Sequence, residues 1–180
     1  MAETLERVYA SALFELCSEN NKLTEIFDEM TQVKNIFCEN EEYIKLLSSP
    51  LISEEDKHEV LDKTFGGKLD DMFFDFLCVL SDKGRMGFFS GIFSEFKEMY
   101  NKHMNILEVT VVTSQPMSGA IKEKLVKKLS DTSGKKIILD EQVDKSLLGG
   151  IILRYENTEI DSSVKGKLDK LKKQIDSTIA

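Results

Sequence analysis

The sequence predicts an α+β protein of two domains: an N-terminal six-helix bundle over residues 1–104, then a small mixed α/β domain over residues 105–180. Up to Met104 the apolar residues recur at helical spacing, whereas β-branched runs appear beyond it. The charge changes at the same point. Residues 1–104 hold 11 basic and 21 acidic side chains, a net charge of −10, while residues 105–180 hold 13 and 11, a net charge of +2. Such a shift indicates two domains with different surfaces and different partners.

Six amphipathic helices with short connections account for the first domain. The third is short and stops before Pro50, whose ring disfavours helical backbone at the preceding residue. Ser53 is a hydroxyl cap for the fourth helix, which ends at the Gly66-Gly67 pair. Lys83-Gly84-Arg85 separates the fifth helix from the sixth. The apolar stripes assigned to the core are Leu5, Val8, Tyr9, Ala12, Leu13 and Leu16 on the first helix; Leu23, Ile26, Phe27, Met30, Val33 and Phe37 on the second; Leu69, Met72, Phe73, Phe76, Leu77 and Leu80 on the fifth; and Phe89, Ile92, Phe93, Phe96, Met99 and Tyr100 on the sixth.

The second domain alternates strands and helices. Residues 106–113 are rich in β-branched side chains and form a first strand, which ends by Pro116. A helix opens at Ser118, and a second strand covers residues 135–141. Two further strands, at residues 151–153 and 158–160, have the spacing of a hairpin, and a last helix starts near Asp161.

Composition excludes several classes of function. The net charge of −8 argues against nucleic acid as the main partner, because phosphate binding needs a basic surface. No run approaches the roughly 18 apolar residues of a membrane span. Three widely spaced cysteines without a CxxC motif are typical of buried thiols in a reducing compartment. The N-terminus lacks the pattern of a signal peptide, so we expect a soluble intracellular chain.

Few residues suggest catalysis. His58 and His103 lie on different helices without a second ligand at i,i+4, so they predict no metal site. Gly149-Gly150 precedes a strand and does not open a helix, which favours close backbone packing or a bulge over phosphate binding. We therefore predict no catalytic, cofactor-binding or metal-binding residue, and no cofactor.

An interaction surface is the remaining candidate. On the first and fifth helices, several residues fall outside the predicted core stripes: Arg7, Ala10, Ser11 and Phe14 on the first, and Phe74, Cys78 and Val79 on the fifth. They either form a groove that receives a partner helix or pack against other helices of the bundle, and the pattern leaves both open.

The last helix is basic, in contrast to the acidic first domain. Lysines surround its narrow apolar stripe, among them Lys165, Lys170 and Lys173. This basic face suits an acidic partner segment, although a plain solvated face has the same pattern.

Three segments carry a resemblance to a known family. Residues 7–13 contain an aromatic-Ala-x-Ala-Leu opening, and residues 80–85 place a Leu, then polar residues, then an Arg. The most specific match is the Leu-x-Gly-Gly that ends at Gly150, followed by the Asp-x-Ser-Val at residues 161–164. In this order and spacing, over essentially the whole chain, the sequence resembles the delta subunit of F-type rotary ATP synthases, equivalent to the mitochondrial oligomycin-sensitivity-conferring protein.

The resemblance implies a non-catalytic stator subunit of a proton-translocating ATP synthase. It implies that the first and fifth helices bind N-terminal segments of the head's alpha subunits, and that the second domain contacts the b subunits of the peripheral stalk. Such a chain is peripheral to the inner membrane on the cytoplasmic side. Lys145 and the turn Tyr155-Glu156-Asn157 depart from the family pattern and concern local turn geometry. The alternatives are a generic helical adaptor with an unrelated partner, and an enzyme that uses Gly149-Gly150.

Overall fold

The computed structural model describes residues 4–156 and 158–168. The chain is α+β, as predicted, and within these residues it forms seven α-helices, a further helical segment at residues 164–168, one short 3-10 helix and a four-stranded mixed sheet. It divides into two compact units between Asn101 and Lys102, where the sequence predicted a division after Met104. The first unit is built from helices and the second carries the sheet.

The helical unit contains α1 to α6. Their bounds are α1 Leu5–Glu19, α2 Leu23–Glu39, α3 Glu41–Ser48, α4 Glu54–Phe65, α5 Asp71–Asp82 and α6 Phe89–His103, with a 3-10 turn at Met86–Phe88 before α6. Side-chain caps set three of the starts, since Thr4, Ser53 and Asp70 each accept a hydrogen bond from a backbone N–H of the first turn. The sequence predicted the Ser53 cap, and the structure confirms it.

Aromatic rings fill the centre of this unit. Phe37 on α2 makes edge contacts with Phe65 of α4 and Phe89 of α6, at centroid distances of 6.2 and 5.1 Å. Phe73 of α5 packs against the same Phe89. Each such side chain contributes roughly 1.5–3 kcal/mol when it is fully removed from water. The predicted stripes of α2 and α6 are confirmed, because most of their members are buried.

The second unit is a helix packed on one face of a sheet. Its elements are β1 Ile106–Thr113, α7 Gly119–Ser133, β2 Lys136–Val143, β3 Ile151–Tyr155 and β4 Thr158–Asp161, in the sheet order β2-β1-β3-β4. β1 pairs parallel with β2, which requires the crossover that α7 supplies, and β3 pairs antiparallel with both β1 and β4. Residues 164–168 are helical.

The glycine pair before β3 serves backbone packing. Gly150 has φ of 86°, and a Cβ there would lie 2.7 Å from the carbonyl oxygen of Ser162. The carbonyl of Gly149 accepts a hydrogen bond from the N–H of Val164 at 3.0 Å. Only glycine allows the chain after β4 to come this close, so the structure confirms the packing interpretation.

Candidate functional site

α1 and α5 lie side by side and run antiparallel. In the first half of α1, Tyr9 makes an edge contact with Phe76 of α5, with ring centroids 6.2 Å apart. Just beyond the other end of α1, Lys22 forms an ion pair with Asp70, the N-cap of α5. The two helices are therefore linked by a ring contact at the middle of α5 and by an ion pair at its start.

Arg85, three residues after α5, adds a second contact at the Tyr9 end. Its Nη1 donates a hydrogen bond to the Tyr9 hydroxyl at 2.5 Å, and its guanidinium carbon lies 5.5 Å from the centre of the tyrosine ring. A hydrogen bond from a charged donor combined with ring contact is among the stronger side-chain interactions.

The apolar stripe predicted to face the core on α1 is wrong for three of its members. The residues that are buried on α1 are Ala10, Leu13 and Cys17. Val8, Ala12 and Leu16 are exposed instead, with Val8 and Leu16 each 48% exposed. Two apolar stripes run along this helix, and the interior takes the one with the small residues Ala10 and Cys17, since small side chains let helices approach closely.

The structure also moves the predicted groove residues of α1. Ala10 is completely buried, so its side chain is not available to a partner. Phe14 is half-buried and packs edge-on against Phe96 of α6, with centroids 5.7 Å apart. Ser11 and Arg7 lie three and seven positions before Phe14, so they share its side of the helix. None of the four lies on the side that carries Tyr9.

On α5, two of the three predicted residues turn towards α4. One turn beyond Cys78, Oδ1 of Asp82 accepts a hydrogen bond from Nε2 of His58 on α4 at 2.8 Å. Burial raises the pKa of the Cys78 thiol, and three carboxylates, including Asp62 of α4, raise it further. Phe74 lies one turn before Cys78, on the same side of the helix. Val79 alone is on the side of Phe76, and it is 47% exposed.

Apolar residues thus line one face of α1 and one face of α5, on either side of the Tyr9–Phe76 contact, and these two faces are the candidate groove. We call it the α1–α5 groove; its members are Val8, Ala12 and Leu16 of α1 and Met72, Phe76 and Val79 of α5, beside Tyr9. On α1 they recur at i, i+4, i+8, and on α5 at i, i+4, i+7, so each set forms one face. Helical periodicity alone could not identify the α1 set, because both stripes of α1 have that period.

The solvent side of the groove is acidic. Glu15 and Glu19 of α1 and Asp71 and Asp75 of α5 are exposed and lie next to groove residues along their helices. At the start of α5, the ion pair with Lys22 lowers the pKa of Asp70. Glu29 of α2 accepts a hydrogen bond from the Asp70 N–H at 3.0 Å, and burial raises the pKa of this carboxyl. An acidic border of this kind attracts a cationic partner.

The predicted lysine surface is only partly visible. Lys165 is exposed at the start of the last helix. The pKa of Asp144 is lowered chiefly by hydrogen bonds from the backbone and side chain of Ser146, with smaller contributions from the charges of Lys165 and Arg154. Lys170 and Lys173 lie outside the described residues.

Neither metal chemistry nor membrane insertion finds support in the part of the chain that the structure describes. Over residues 4–156 and 158–168, no group of His, Cys, Asp and Glu side chains converges as a metal ion would require. No helix in the same ranges combines the length and the apolar character needed to cross a bilayer.

Comparison with known proteins gives consistent matches along the chain. A family model for the ATP synthase delta (OSCP) subunit matches residues 5–175. ATP synthase subunit delta of Clostridium botulinum (strain Loch Maree / Type A3) is 35% identical over 175 residues, 97% of this chain and 98% of that protein. The same subunit of Clostridioides difficile (strain 630) is 32% identical over 181 residues and covers 100% of both chains. A chain in the cryo-EM structure of the Toxoplasma gondii mitochondrial ATP synthase hexamer superposes with a TM-score of 0.77 at 25% identity, over 96% of this chain and 98% of that one.

A helical unit that leaves apolar residues of α1 and α5 exposed, followed by a second unit with its own sheet, is typical of a protein that binds other proteins. The chain belongs to the ATP synthase delta (OSCP) subunit family. It is a structural, non-catalytic subunit of ATP synthase, and its role is that of a stator. The sequence-based prediction of family and stator function is therefore confirmed.

Proposed function

We propose that this subunit joins the catalytic head of the ATP synthase to its peripheral stalk through two separate surfaces. The helical unit binds the N-terminal segments of the head's alpha subunits, and the sheet unit binds the b subunits. The chain is then held peripherally at the inner membrane, on the cytoplasmic side, through the complex. In this position it prevents the head from turning with the rotor.

The α1–α5 groove carries the first half of the proposal. Val8 and Leu16 on one wall and Val79 on the other are each about half exposed, although they lie on well-packed helices. Exposed apolar residues that line up along two adjacent helices are typical of helix-in-groove recognition, in which a partner inserts anchors at i, i+3, i+4 and i+7. An amphipathic N-terminal segment of an alpha subunit fits this surface.

Charge favours the same kind of partner. The border of exposed carboxylates at Glu15, Glu19, Asp71 and Asp75 predicts that the bound segment carries Lys or Arg beside its apolar stripe. Exposed charges of this type act mainly on the association rate and are screened by salt. Binding should therefore slow as ionic strength rises while the apolar anchors still hold the complex.

The second half of the proposal concerns the b subunits. Lys165, at the start of the last helix, is exposed, and Lys170 and Lys173 continue the same basic sequence pattern. A basic helix suits an acidic stretch of the stalk. Two attachment points on one assembly raise the effective concentration of each, which slows loss of the subunit under torque.

A peptide titration tests the groove. The full chain is titrated with a synthetic peptide that covers the N-terminal segment of the alpha subunit of the same synthase. Val79→Asp places a charge in the groove and should weaken binding by about 100-fold or more, because an apolar anchor then faces an unpaired carboxylate.

Leu51→Asp is the matched control. Leu51 is 94% exposed in the loop between α3 and α4 and belongs to neither groove helix, so the same chemical change there should leave the affinity unaltered. If Val79→Asp binds the peptide as wild type does, the alpha subunits do not use the α1–α5 groove. If wild type itself fails to bind, the proposed partner is wrong.

A further inference from the structure

The segment after α5 ends the helix in a specific way. Gly84 has φ of 61°, its N–H donates to the carbonyl of Ser81 at 2.9 Å, and the N–H of Arg85 donates to the carbonyl of Leu80 at 2.7 Å. These two bonds, with a left-handed residue between them, are the Schellman motif. Glycine favours that conformation because it has no Cβ to clash. The Lys83-Gly84-Arg85 sequence thus reverses the chain at a fixed point.

This cap determines where Arg85 goes. The reversed backbone brings Arg85 to α1, where its Nη1 donates to the Tyr9 hydroxyl at 2.5 Å and its guanidinium stacks over the ring. Tyr9 in turn contacts Phe76, a wall of the α1–α5 groove. Arg85, Tyr9 and Phe76 therefore form one chain of contacts that runs from the cap of α5 into the groove.

Arg85 constrains Tyr9 in two ways at once. The hydrogen bond fixes the position of the hydroxyl, and the cation–π contact fixes the plane of the ring. Tyr9 and Arg85 are both only half-buried, so core packing alone does not hold the ring. Without the guanidinium, the ring could rotate into the groove and occupy space that a partner's anchor needs.

We propose that Arg85 is a positioning residue for partner binding: it holds the Tyr9 ring against Phe76 and so keeps the α1–α5 groove open. The inference rests on the proposed function, since it concerns the same groove. It gives a physical role to Arg85, the arginine of the Leu80–Arg85 segment. Arg85 acts through Tyr9 and need not touch the partner.

The test compares Arg85→Met, Arg85→Lys and Tyr9→Phe in the full chain, with the synthetic alpha-subunit peptide as the probe. Arg85→Met should raise the dissociation constant about tenfold, the typical consequence of losing a charged hydrogen bond. Arg85→Lys should recover little, because an ammonium restores the charge but not the planar donor. Lys45→Met on α3 removes one cation elsewhere in the helical unit and should leave the constant unchanged.

A double-mutant cycle separates positioning from general stability. Arg85→Met and Tyr9→Phe should be strongly non-additive in peptide affinity, since the two side chains act as a unit. Unfolding curves for every variant show that binding is measured on folded protein. Equal affinities for wild type and Arg85→Met, or full recovery in Arg85→Lys, would overturn the inference. Failure of wild type to bind would instead sink the proposed function, so the two failures are distinguishable.

Discussion

The helical unit and the sheet unit bury their apolar side chains to very different extents. Among the described residues, twenty apolar side chains of the helical unit are buried, against six in the sheet unit. α7 covers one face of the sheet with Leu125, Val126 and Leu129, all only half-buried, and has no buried residue of its own. The helical unit thus has enough core to leave an apolar groove open to a partner, whereas the sheet unit has little core to spare.

The largest expected effect is the loss of stability when a core side chain of the helical unit is truncated, and it tests whether the two cores differ. Phe73→Ala, in the first turn of α5, should lower the free energy of unfolding by about 4 kcal/mol, because removing a fully buried ring leaves a cavity. Leu129→Ala on α7 should cost only about 1 kcal/mol, because the side chain is already partly in water. Urea unfolding followed by circular dichroism measures both. Equal costs would mean that the two cores are equally tight.

The same contrast explains what could be predicted from sequence. The stripes of α2 and α6 were predictable because each of these helices has a single apolar face, and the β-branched run at residues 106–113 identified β1 as a strand. The buried stripe of α1 was not predictable, because Val8, Ala12 and Leu16 have the same period as the buried set. Periodicity alone does not distinguish apolar residues of a groove from apolar residues of a core. The sequence pattern likewise could not separate Phe74 and Cys78, on one side of α5, from Val79 on another side of the same helix.

Two glycines of the helical unit allow the effect of the α5 cap on the groove to be separated from its effect on stability. Gly84 and Gly67 have φ of 61° and 67°, and neither has atoms close enough to clash with a Cβ. Alanine at either should cost about 1 kcal/mol of unfolding free energy, because left-handed backbone is strained for a residue with a Cβ. Only Gly84→Ala should also weaken the alpha-subunit peptide, since only that turn carries Arg85. Calorimetric titration of both variants checks this, and equal affinities would separate the cap from the groove.

The ion pair at the other end of the groove gives a pH dependence. Lys22 lowers the pKa of Asp70 below its ordinary value of 3.8, so the pair's stabilisation is present above that value and is lost as pH falls through the lower, folded-state pKa. Asp70→Asn keeps an N-cap and should cost about 1 kcal/mol or less at pH 7, since Lys22 is substantially exposed. In urea unfolding at several pH values, the difference from wild type should shrink below pH 3.8. A difference that persists or grows in acid would contradict the ion pair.

The smallest expected effect is a gain in the sheet unit. Glu156, in the turn between β3 and β4, has φ of 49°, which disfavours glutamate but suits asparagine. Glu156→Asn should therefore raise the unfolding free energy by roughly 0.5 kcal/mol, offset in part by loss of the exposed pair with Lys135. Thermal unfolding of the full chain would show the gain. A clear loss of stability would mean that the pair with Lys135 matters more than the backbone strain.

The claim that the helical unit attaches this subunit to the catalytic head is tested most directly in the assembled enzyme. Cells that carry wild type, Val79→Asp or Leu51→Asp are extracted with mild detergent, and the membrane-bound ATP synthase is purified through another subunit. We predict that wild type and Leu51→Asp co-purify at full stoichiometry, while Val79→Asp is largely lost from the head. Full retention of Val79→Asp, with the head still attached to the stalk, would contradict the account.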